Sequence, residues 1–196
     1  LRESRGHFTS HPATGSCRLV GRNMFTIFEG DTVADSYLPE EELKAFIASL
    51  PTRRLASGAL IRNEAGQMLC VKPNYKDGWT IPGGTVEAGE APQPACFREV
   101  LEEVGLDVPA GRLLVIFHGL QLGIWGDSTY YIYDGGVIPE NSDIRLQEEE
   151  LTEYRWVSPE DLDEYYGPRH AARLRQAYRA LETGEVAEFS STDLPA

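Results

Sequence analysis

Three glutamates, Glu99, Glu102 and Glu103, lie close together in the segment ACFREVLEEV. At about 100° per residue of an α-helix, they fall within one arc of roughly 100°. The opposite side of such a helix carries the apolar residues Cys96, Phe97, Val100, Leu101 and Val104. Neighbouring like charges destabilise a helix, but a cation such as Mg²⁺ or Mn²⁺, which prefers carboxylate oxygens, would offset the repulsion. The segment therefore predicts a helix that packs its apolar side and binds a cation with the other. A solvated acidic helix face is the alternative.

The residues before this helix favour the cation site over the solvated face. Two adjacent glycines, Gly83 and Gly84, permit a tight turn and a close approach of the main chain to a ligand. Glu90 precedes the helix, and Arg98 lies two turns later. We expect these two side chains to form a charge pair that holds the loop against the helix.

The same residues satisfy a longer spaced pattern, G-x5-E-x7-R-E-U-x-E-E-x-G-U, in which U is a bulky aliphatic residue. The matching positions are Gly84, Glu90, Arg98, Glu99, Val100, Glu102, Glu103, Gly105 and Leu106. This pattern is the Nudix box, and residues 55–183 resemble a Nudix hydrolase domain. The resemblance implies an α/β fold, namely an α/β/α sandwich with a mixed β-sheet and the Nudix loop-helix.

Proteins that this chain resembles hydrolyse a diphosphate linkage to another moiety, often a nucleoside, by metal-assisted attack of water on phosphorus. By that resemblance, Glu99, Glu102 and Glu103 would bind Mg²⁺ or Mn²⁺. The carbonyl oxygen of Gly84 would be a further metal ligand. Either Glu99 or Glu103 would activate water, and Arg98 would support catalysis by placing the loop.

The resemblance also assigns supporting roles. Gly83, Glu90 and Gly105 would be structural residues of the box. Related proteins often recruit another acidic metal ligand from a later loop, and Glu150 is the first candidate here, with Glu153 the second. A solvated loop charge is the alternative for either residue.

Basic and aromatic residues just before the box are candidates for substrate binding. Lys72 and Lys76 could contact phosphate oxygens, although exposed lysines in an acidic protein could equally serve solubility. The aromatic candidates are Tyr75, Trp79, Trp125 and Tyr131. We expect one of these four to touch substrate and the others to pack. His118 could be a pocket residue, but a surface or satisfied core histidine is the favoured interpretation.

Composition limits the partners of the chain. Its 196 residues include 18 Lys plus Arg and 31 Asp plus Glu, a formal net charge of −13. This charge argues against long nucleic acid but permits a small anionic substrate. The resemblance implies that this substrate is a diphosphate compound. The three cysteines form no CxxC pair, which argues against a zinc-thiolate site and a disulfide framework. We expect a cytoplasmic protein that does not contact a membrane. A homodimer is an open alternative to a monomer.

The pattern of elements predicts one domain with extensions. Residues 1–36 read as an amino-terminal extension, partly disordered or foreign to the natural chain. Residues 37–54 would hold a helix and a linker, residues 55–185 the Nudix domain, and residues 186–196 a carboxy-terminal tail.

Within these regions, LASGALIR and QMLCVK predict a hairpin, and RLLVIFHGL, STYYIYDGGVI and EYRWV predict further strands. A helix is expected from Pro39 to Leu50. Another is expected from Pro168 to Glu182, and Ser158 is expected to cap a helix start.

An isomerase, a ligand sensor and a calcium-binding module are the alternatives to a hydrolase. Isopentenyl diphosphate isomerases share the fold but match the box loosely, and a non-catalytic ligand sensor would have no use for three repelling carboxylates. A calcium-binding loop would place its ligands at alternating positions, which this helix does not. Hydrolysis is favoured, with nucleoside triphosphates, nucleotide sugars and prenyl diphosphates all open as substrates.

Overall fold

The computed structural model describes residues 38–194, so the expectations for the extension at residues 1–36 lie outside the described residues. The chain divides into two units, residues 1–50 and residues 51–196. All predicted site residues belong to the second unit.

The described part of the first unit contains helix α1 (Glu40–Ser49), which confirms the helix predicted between Pro39 and Leu50. Its first turn consists of three glutamates, whose charge is favourable at the positive end of the helix dipole. Lys44 pairs with Glu40 at 2.7 Å, one turn away.

The second unit contains a mixed β-sheet. Its strands are β1 (Arg54–Arg62), β2 (Met68–Pro73), β3 (Gly83–Thr85), β4 (Leu113–Gly119), β5 (Ser128–Val137), β6 (Leu151–Val157) and β7 (Ala187–Ser190). The order is β6-β2-β1-β5-β4-β7, with β3 also paired to β1. The β1–β5 and β4–β7 pairs are parallel and the others antiparallel. The predicted mixed sheet and the β1–β2 hairpin are confirmed.

Helices cover both faces of this sheet. They are α2 (Pro92–Val104), α3 (Leu162–Tyr165) and α4 (Pro168–Thr183), and single 3₁₀ turns span Gly123–Trp125, Pro159–Asp161 and Ser191–Asp193. Side chains alternate along a strand, so β1 contributes Ala59 and Ile61 to the core beneath α2 and Leu60 to the core beneath α4. The predicted α/β/α sandwich is therefore confirmed. No helix within residues 38–194 has the length and apolarity to cross a membrane.

Helix α2 follows the predicted pattern with one correction. It has proline in its first turn and ends at Gly105, whose φ of 69° is in the left-handed region that favours glycine. Leu101, predicted on the buried side, is 52% exposed. It lies about 100° around the helix from the buried Val100, whereas Glu103 lies only about 60° away. The buried side therefore includes a glutamate and excludes a leucine.

Two other predictions near the carboxy terminus need correction. Ser158 occupies the predicted N-cap position before the 3₁₀ turn Pro159–Asp161, but its side chain makes no capping hydrogen bond, and its hydroxyl accepts one from Gln67 Nε2 at 3.2 Å. Residues 186–196 were predicted to be a tail, but they include β7, which pairs with β4. Phe189 of β7 lies edge-on to Phe117, with ring centroids 5.2 Å apart, so this segment extends the core.

Candidate active site

The three glutamates of α2 form a gradient from core to solvent. Glu103 is 5% exposed, next to the apolar side of the helix. The Glu99 side chain is largely buried, and that of Glu102 is 52% exposed. One helical turn therefore brings carboxylates of very different solvation to the same edge of the sheet.

Glu103 is held by the turn that precedes the helix. The backbone N–H of Gly83 donates a 2.7 Å hydrogen bond to Glu103 Oε2. Gly83 has a φ of 143° and pairs with Gly58 of β1, and a Cβ at position 83 would overlap the carbonyl oxygen of Ser57. Only glycine can place its N–H here, so Gly83 has the structural role that the box predicts.

Gly84 lies directly beside Glu99. A Cβ at position 84 would be 2.5 Å from the carboxyl carbon of Glu99. The missing side chain therefore gives the Glu99 carboxylate direct access to the backbone of β3. A ligand bound by both the Gly84 main chain and the Glu99 carboxylate requires such a close approach.

The burial of Glu103 disfavours its charged form. Burial raises the pKa of Glu103 to about 7, against the effect of the Gly83 N–H. The negative charges of Glu99 and Glu150 add to the increase, and the nearby Lys76 opposes it. Burial also raises the pKa of Glu99, where the Arg98 guanidinium opposes the shift. A positive charge at this position would stabilise both carboxylates in their ionised form.

The predicted pair between Glu90 and Arg98 is present. Arg98 Nε donates to Glu90 Oε1 at 3.0 Å and Arg98 Nη2 to Glu90 Oε2 at 3.1 Å, a two-pronged contact. The same Nη2 lies 3.5 Å from the carbonyl oxygen of Thr85, at the end of β3. The Arg98 guanidinium lowers the pKa of the Glu90 carboxyl. These contacts join the loop to α2.

Arg98 also contacts two of the predicted metal ligands, which the sequence did not anticipate. Its Nη1 donates to Glu99 Oε1 at 3.1 Å and to Glu102 Oε2 at 3.0 Å. Across residues 38–194, no three Asp, Glu, His or Cys side chains already converge closely enough to hold one ion. In this arrangement the arginine partly neutralises the carboxylates.

Glu150 is brought to the site by the loop before β6. The N–H groups of Arg145 and Gln147 donate to the carbonyl oxygens of Val104 and Glu103, at 3.0 and 2.9 Å. These carbonyls end α2 and have no partner within the helix. The charge of Glu150 raises the pKa of Glu103, so the two carboxylates are electrostatically coupled.

Glu153, the second candidate for the additional acid, is engaged elsewhere. It lies within β6 and accepts a 2.6 Å hydrogen bond from Arg155 Nε. Of the two candidates, the structure places only Glu150 in electrostatic contact with the α2 carboxylates.

The four predicted substrate-binding residues separate into two pairs. Tyr75 is largely exposed. The partial burial of its hydroxyl raises its pKa, and the negative charges of Glu103, Glu150 and Glu99 raise it further. Lys76 lies 5.6 Å from the Tyr75 ring centroid, and its charge acts on Glu103.

The second pair lies on the α4 face of the sheet. Trp79 packs edge-on against Tyr165 at 5.9 Å, and the Arg155 guanidinium lies 5.1 Å from its ring centroid. Lys72 Nζ is 5.9 Å from the same ring. The structure therefore brings Tyr75 and Lys76 toward the carboxylates and gives Lys72 and Trp79 packing contacts.

The remaining aromatic and histidine candidates have contacts of their own. Trp125 is exposed in a 3₁₀ turn, and Tyr131 packs against the core beneath α2. His118 Nε2 lies 2.9 Å from Glu188 Oε1, and its Nδ1 lies 3.3 Å from Thr129 Oγ1. His118 is thus a satisfied histidine, as the favoured interpretation held.

Two basic residues were missed from the sequence. His170 and Arg173 line a cavity between the sheet and α4, together with the predicted Lys76. The signal was available: Arg173 occupies the same helical stripe as the buried Ala177 and Ala180, four and seven residues later. A charged residue on a buried stripe is uncommon and indicates a polar site.

Known proteins resemble the chain in sequence and fold. The sequence model of the NUDIX domain family matches residues 52–181. A MutT-like protein of Streptomyces ambofaciens is 27% identical over 129 residues, which are 66% of this chain and 79% of that protein. An RNA pyrophosphohydrolase of Hydrogenovibrio crunogenus is 44% identical over 57 residues, 29% of this chain and 34% of that protein.

A solved structure agrees. The MutT protein of Methanosarcina mazei has a TM-score of 0.56 and 27% identity, and the match covers 69% of this chain and 98% of that one. The chain belongs to the Nudix family and is thereby classed as a Nudix hydrolase.

The residues at the site fit a hard divalent cation, the kind of metal that Nudix hydrolases generally use. The available donors are carboxylate and main-chain oxygens, which Mg²⁺ prefers. Glu103 is a buried carboxylate whose single described hydrogen bond to its side chain comes from Gly83. Beside it, Gly84 leaves room that a side chain would fill. The candidate ligands are Gly84, Glu99, Glu102, Glu103 and Glu150.

Proposed function

We propose that this protein hydrolyses a diphosphate linkage in a nucleoside diphosphate joined to another moiety, in a reaction that depends on Mg²⁺. The observation that carries the proposal is Glu103, a buried carboxylate close to other negative charges at the end of the sheet. Such a group is costly unless a cation offsets it. Mn²⁺ would substitute, because it prefers the same ligands.

Glu99, Glu102, Glu103 and Glu150 would hold the metal, together with the carbonyl oxygen of Gly84. When bound, the metal would neutralise diphosphate oxygens and lower the pKa of water. Arg98 competes for Glu99 and Glu102, so metal binding on this proposal requires that these contacts loosen while the pair with Glu90 persists.

The protein's own residues would position the water and accept its proton. Glu103 Oε2 is fixed by the Gly83 N–H. Its Oε1 accepts no hydrogen bond from any residue in the described part of the chain, so it can accept a proton from water. Lys76, next to Glu103, would contact a phosphate oxygen, and the exposed Tyr75 could stack on a base.

The substrate class rests on relatives, one of which is named an RNA pyrophosphohydrolase. That match covers about a third of the relative, and the net charge of −13 disfavours a long RNA. A small nucleoside diphosphate derivative is therefore the preferred substrate. Prenyl and other non-nucleotide diphosphates form the alternative within the same chemistry.

The test is a panel of nucleotide and prenyl diphosphates with Mg²⁺, followed by product analysis. Wild-type protein should release a phosphate ester from at least one nucleotide, and Glu103→Gln should do so at least about 10²-fold more slowly. Glu182→Gln makes the same change at an exposed position of α4 and should keep wild-type turnover. Tight binding of one compound without turnover would instead identify a ligand sensor.

A further inference from the structure

A cavity of about 130 Å³ lies between the sheet and α4, on the face opposite α2. Three of its lining residues are basic, namely Lys76, His170 and Arg173, and in the described part of the chain no acidic residue lines it. A basic cavity is unexpected in a chain with a net charge of −13.

Arg173 is buried without a charged partner. It is 9% exposed, and no residue in the range 38–194 accepts a hydrogen bond or forms an ion pair with its guanidinium. The guanidinium carbon lies 4.6 Å from the ring centroid of Tyr130 and 5.0 Å from that of Phe117. These rings offset part of the cost of burying the charge, but its N–H donors remain available to the cavity.

Of the other two basic residues, Lys76 adds to the positive potential. Burial, together with the charges of Arg173 and Lys76, lowers the pKa of His170 to about 4, so His170 is neutral near pH 7 and lines the cavity as a hydrogen-bonding side chain. Burial lowers the pKa of Lys76, the negative charge of Glu103 opposes this shift, and the positive charge of Arg173 adds to it. Lys76 therefore connects the cavity with the carboxylates of the candidate active site.

We propose that this cavity binds an anionic group of the substrate, a phosphate or a carboxylate, that is separate from the diphosphate being cleaved. The proposal rests on the proposed function and narrows it to diphosphate compounds with a second anionic group. Arg173 would donate charge-assisted hydrogen bonds to the anion, and Lys76 would lie between the two phosphate sites.

The size of the cavity supports a small group. The cavity has a volume of about 130 Å³. Pockets for larger organic ligands usually measure about 300–1,000 Å³. One phosphate or carboxylate fits, and a nucleobase with its ribose does not.

The first experiment measures anion binding without metal. The full chain is titrated calorimetrically with inorganic phosphate in EDTA, so that a metal at the α2 carboxylates cannot bind the phosphate. Wild type should show saturable binding, and Arg173→Met should bind at least roughly tenfold more weakly. Arg175→Met is the matched control on α4, because Arg175 is exposed and pairs with Asp163 at 2.6 Å. No saturable binding by wild type, or equal binding by Arg173→Met, would overturn the proposal.

A second measurement separates an anion site from a structural arginine. Methionine replaces an unpaired buried cation with an apolar side chain, so Arg173→Met should keep or raise the Tm of the phosphate-free protein. Phosphate should raise the Tm of wild type and of Arg175→Met, but not that of Arg173→Met. A phosphate-induced increase of equal size in all three proteins would contradict the proposal.

The third experiment asks whether the anion belongs to the substrate. It compares diphosphate compounds that differ by one phosphate, such as NADP⁺ with NAD⁺ and coenzyme A with its dephospho form. For at least one pair, wild type should favour the phosphorylated member through a lower KM, and Arg173→Met should lose that preference. A preference that is absent, or independent of Arg173, refutes the assignment. If no compound is turned over, the proposed function fails, and the EDTA titration still decides whether the cavity binds an anion.

Discussion

The N–H of Gly83 donates a 2.7 Å hydrogen bond to Glu103 Oε2 and so joins the turn before α2 to the most buried carboxylate of the site. Glycine is required at position 83, because any Cβ would overlap the Ser57 carbonyl. The bond orients Glu103 but satisfies only one of its oxygens. The carboxylate is therefore positioned before any cation binds, and a bound cation would offset its charge.

Glu103→Gln tests the role of this carboxylate in turnover. The amide keeps the shape and the hydrogen bond from Gly83 but can neither accept a proton at neutral pH nor bind metal as an anion. We expect kcat to fall by about 10²-fold or more, measured at saturating Mg²⁺. A rate near that of wild type would contradict the role of Glu103.

Glu103→Gln should lower activity but raise the stability of the folded protein. In EDTA, the folded pKa of about 7 lies above the ordinary value of 4.5. The folded state then binds more protons than the unfolded state between these values, so this group lowers stability as pH rises from about 5 to 7. The full cost above pH 7 is about 3 kcal/mol.

We therefore expect Glu103→Gln to be more stable than wild type at pH 8 and to lose that advantage near pH 5. Urea unfolding in EDTA measures the difference. Comparing the two proteins removes the contribution of His170, whose lowered pKa acts in the opposite direction. A difference that does not vary with pH would contradict the raised pKa of Glu103.

Gly84→Ala tests the close approach of Glu99 to β3. The added methyl group would lie 2.5 Å from the Glu99 carboxyl carbon and would push the carboxylate away. We expect Mg²⁺ affinity and kcat/KM to fall at least about tenfold, with little change in Tm. Gly167→Ala is the control, since a Cβ there meets nothing within 4 Å. Wild-type metal affinity in Gly84→Ala would show that metal binding does not depend on the close approach of Glu99 to β3.

Arg98→Ala tests whether the pair with Glu90 positions the loop. We expect a lower kcat/KM, because the loop that carries Gly83 and Gly84 loses its attachment to α2. A double-mutant cycle with Glu90→Gln isolates the pair, and the two effects should be far from additive. Additive effects would mean that Arg98 acts only through Glu99 and Glu102.

Glu150→Gln and Glu153→Gln form a matched pair for the additional metal ligand. Glu150 acts electrostatically on Glu103, whereas Glu153 is paired with Arg155. Mg²⁺ titrations should show weaker binding for Glu150→Gln alone. Equal affinities in the two variants would remove Glu150 from the ligand set.

Much of this site could be predicted from the sequence, because helical spacing gathers three glutamates on one side of α2 and the opposite charges of Glu90 and Arg98 indicate a pair between loop and helix. Spacing does not show that Glu103 is buried while Glu102 is exposed, since that depends on how α2 packs on the sheet. Glu150 was one of several acids in a loop, and only the hydrogen bonds to the end of α2 place it.

The errors have equally local causes. The four-residue strand β7 is too short for a clear alternating pattern and is stabilised by its pairing with β4. Arg173 escaped notice because it is one of four arginines in α4, and only its spacing from Ala177 and Ala180 distinguishes it from the others. Ser158 resembles a helix cap, but its hydroxyl bonds to Gln67, a contact between residues far apart in the chain.

Calorimetric titration of the full chain with Mg²⁺, with and without a non-hydrolysable diphosphate, tests the metal site most directly. We expect saturable uptake that is stronger with the diphosphate and is lost in a Glu99→Gln, Glu103→Gln double variant. The Glu182→Gln control should titrate as wild type does. No uptake of Mg²⁺ or Mn²⁺ by wild type, even with the diphosphate present, would contradict a metal site at these carboxylates.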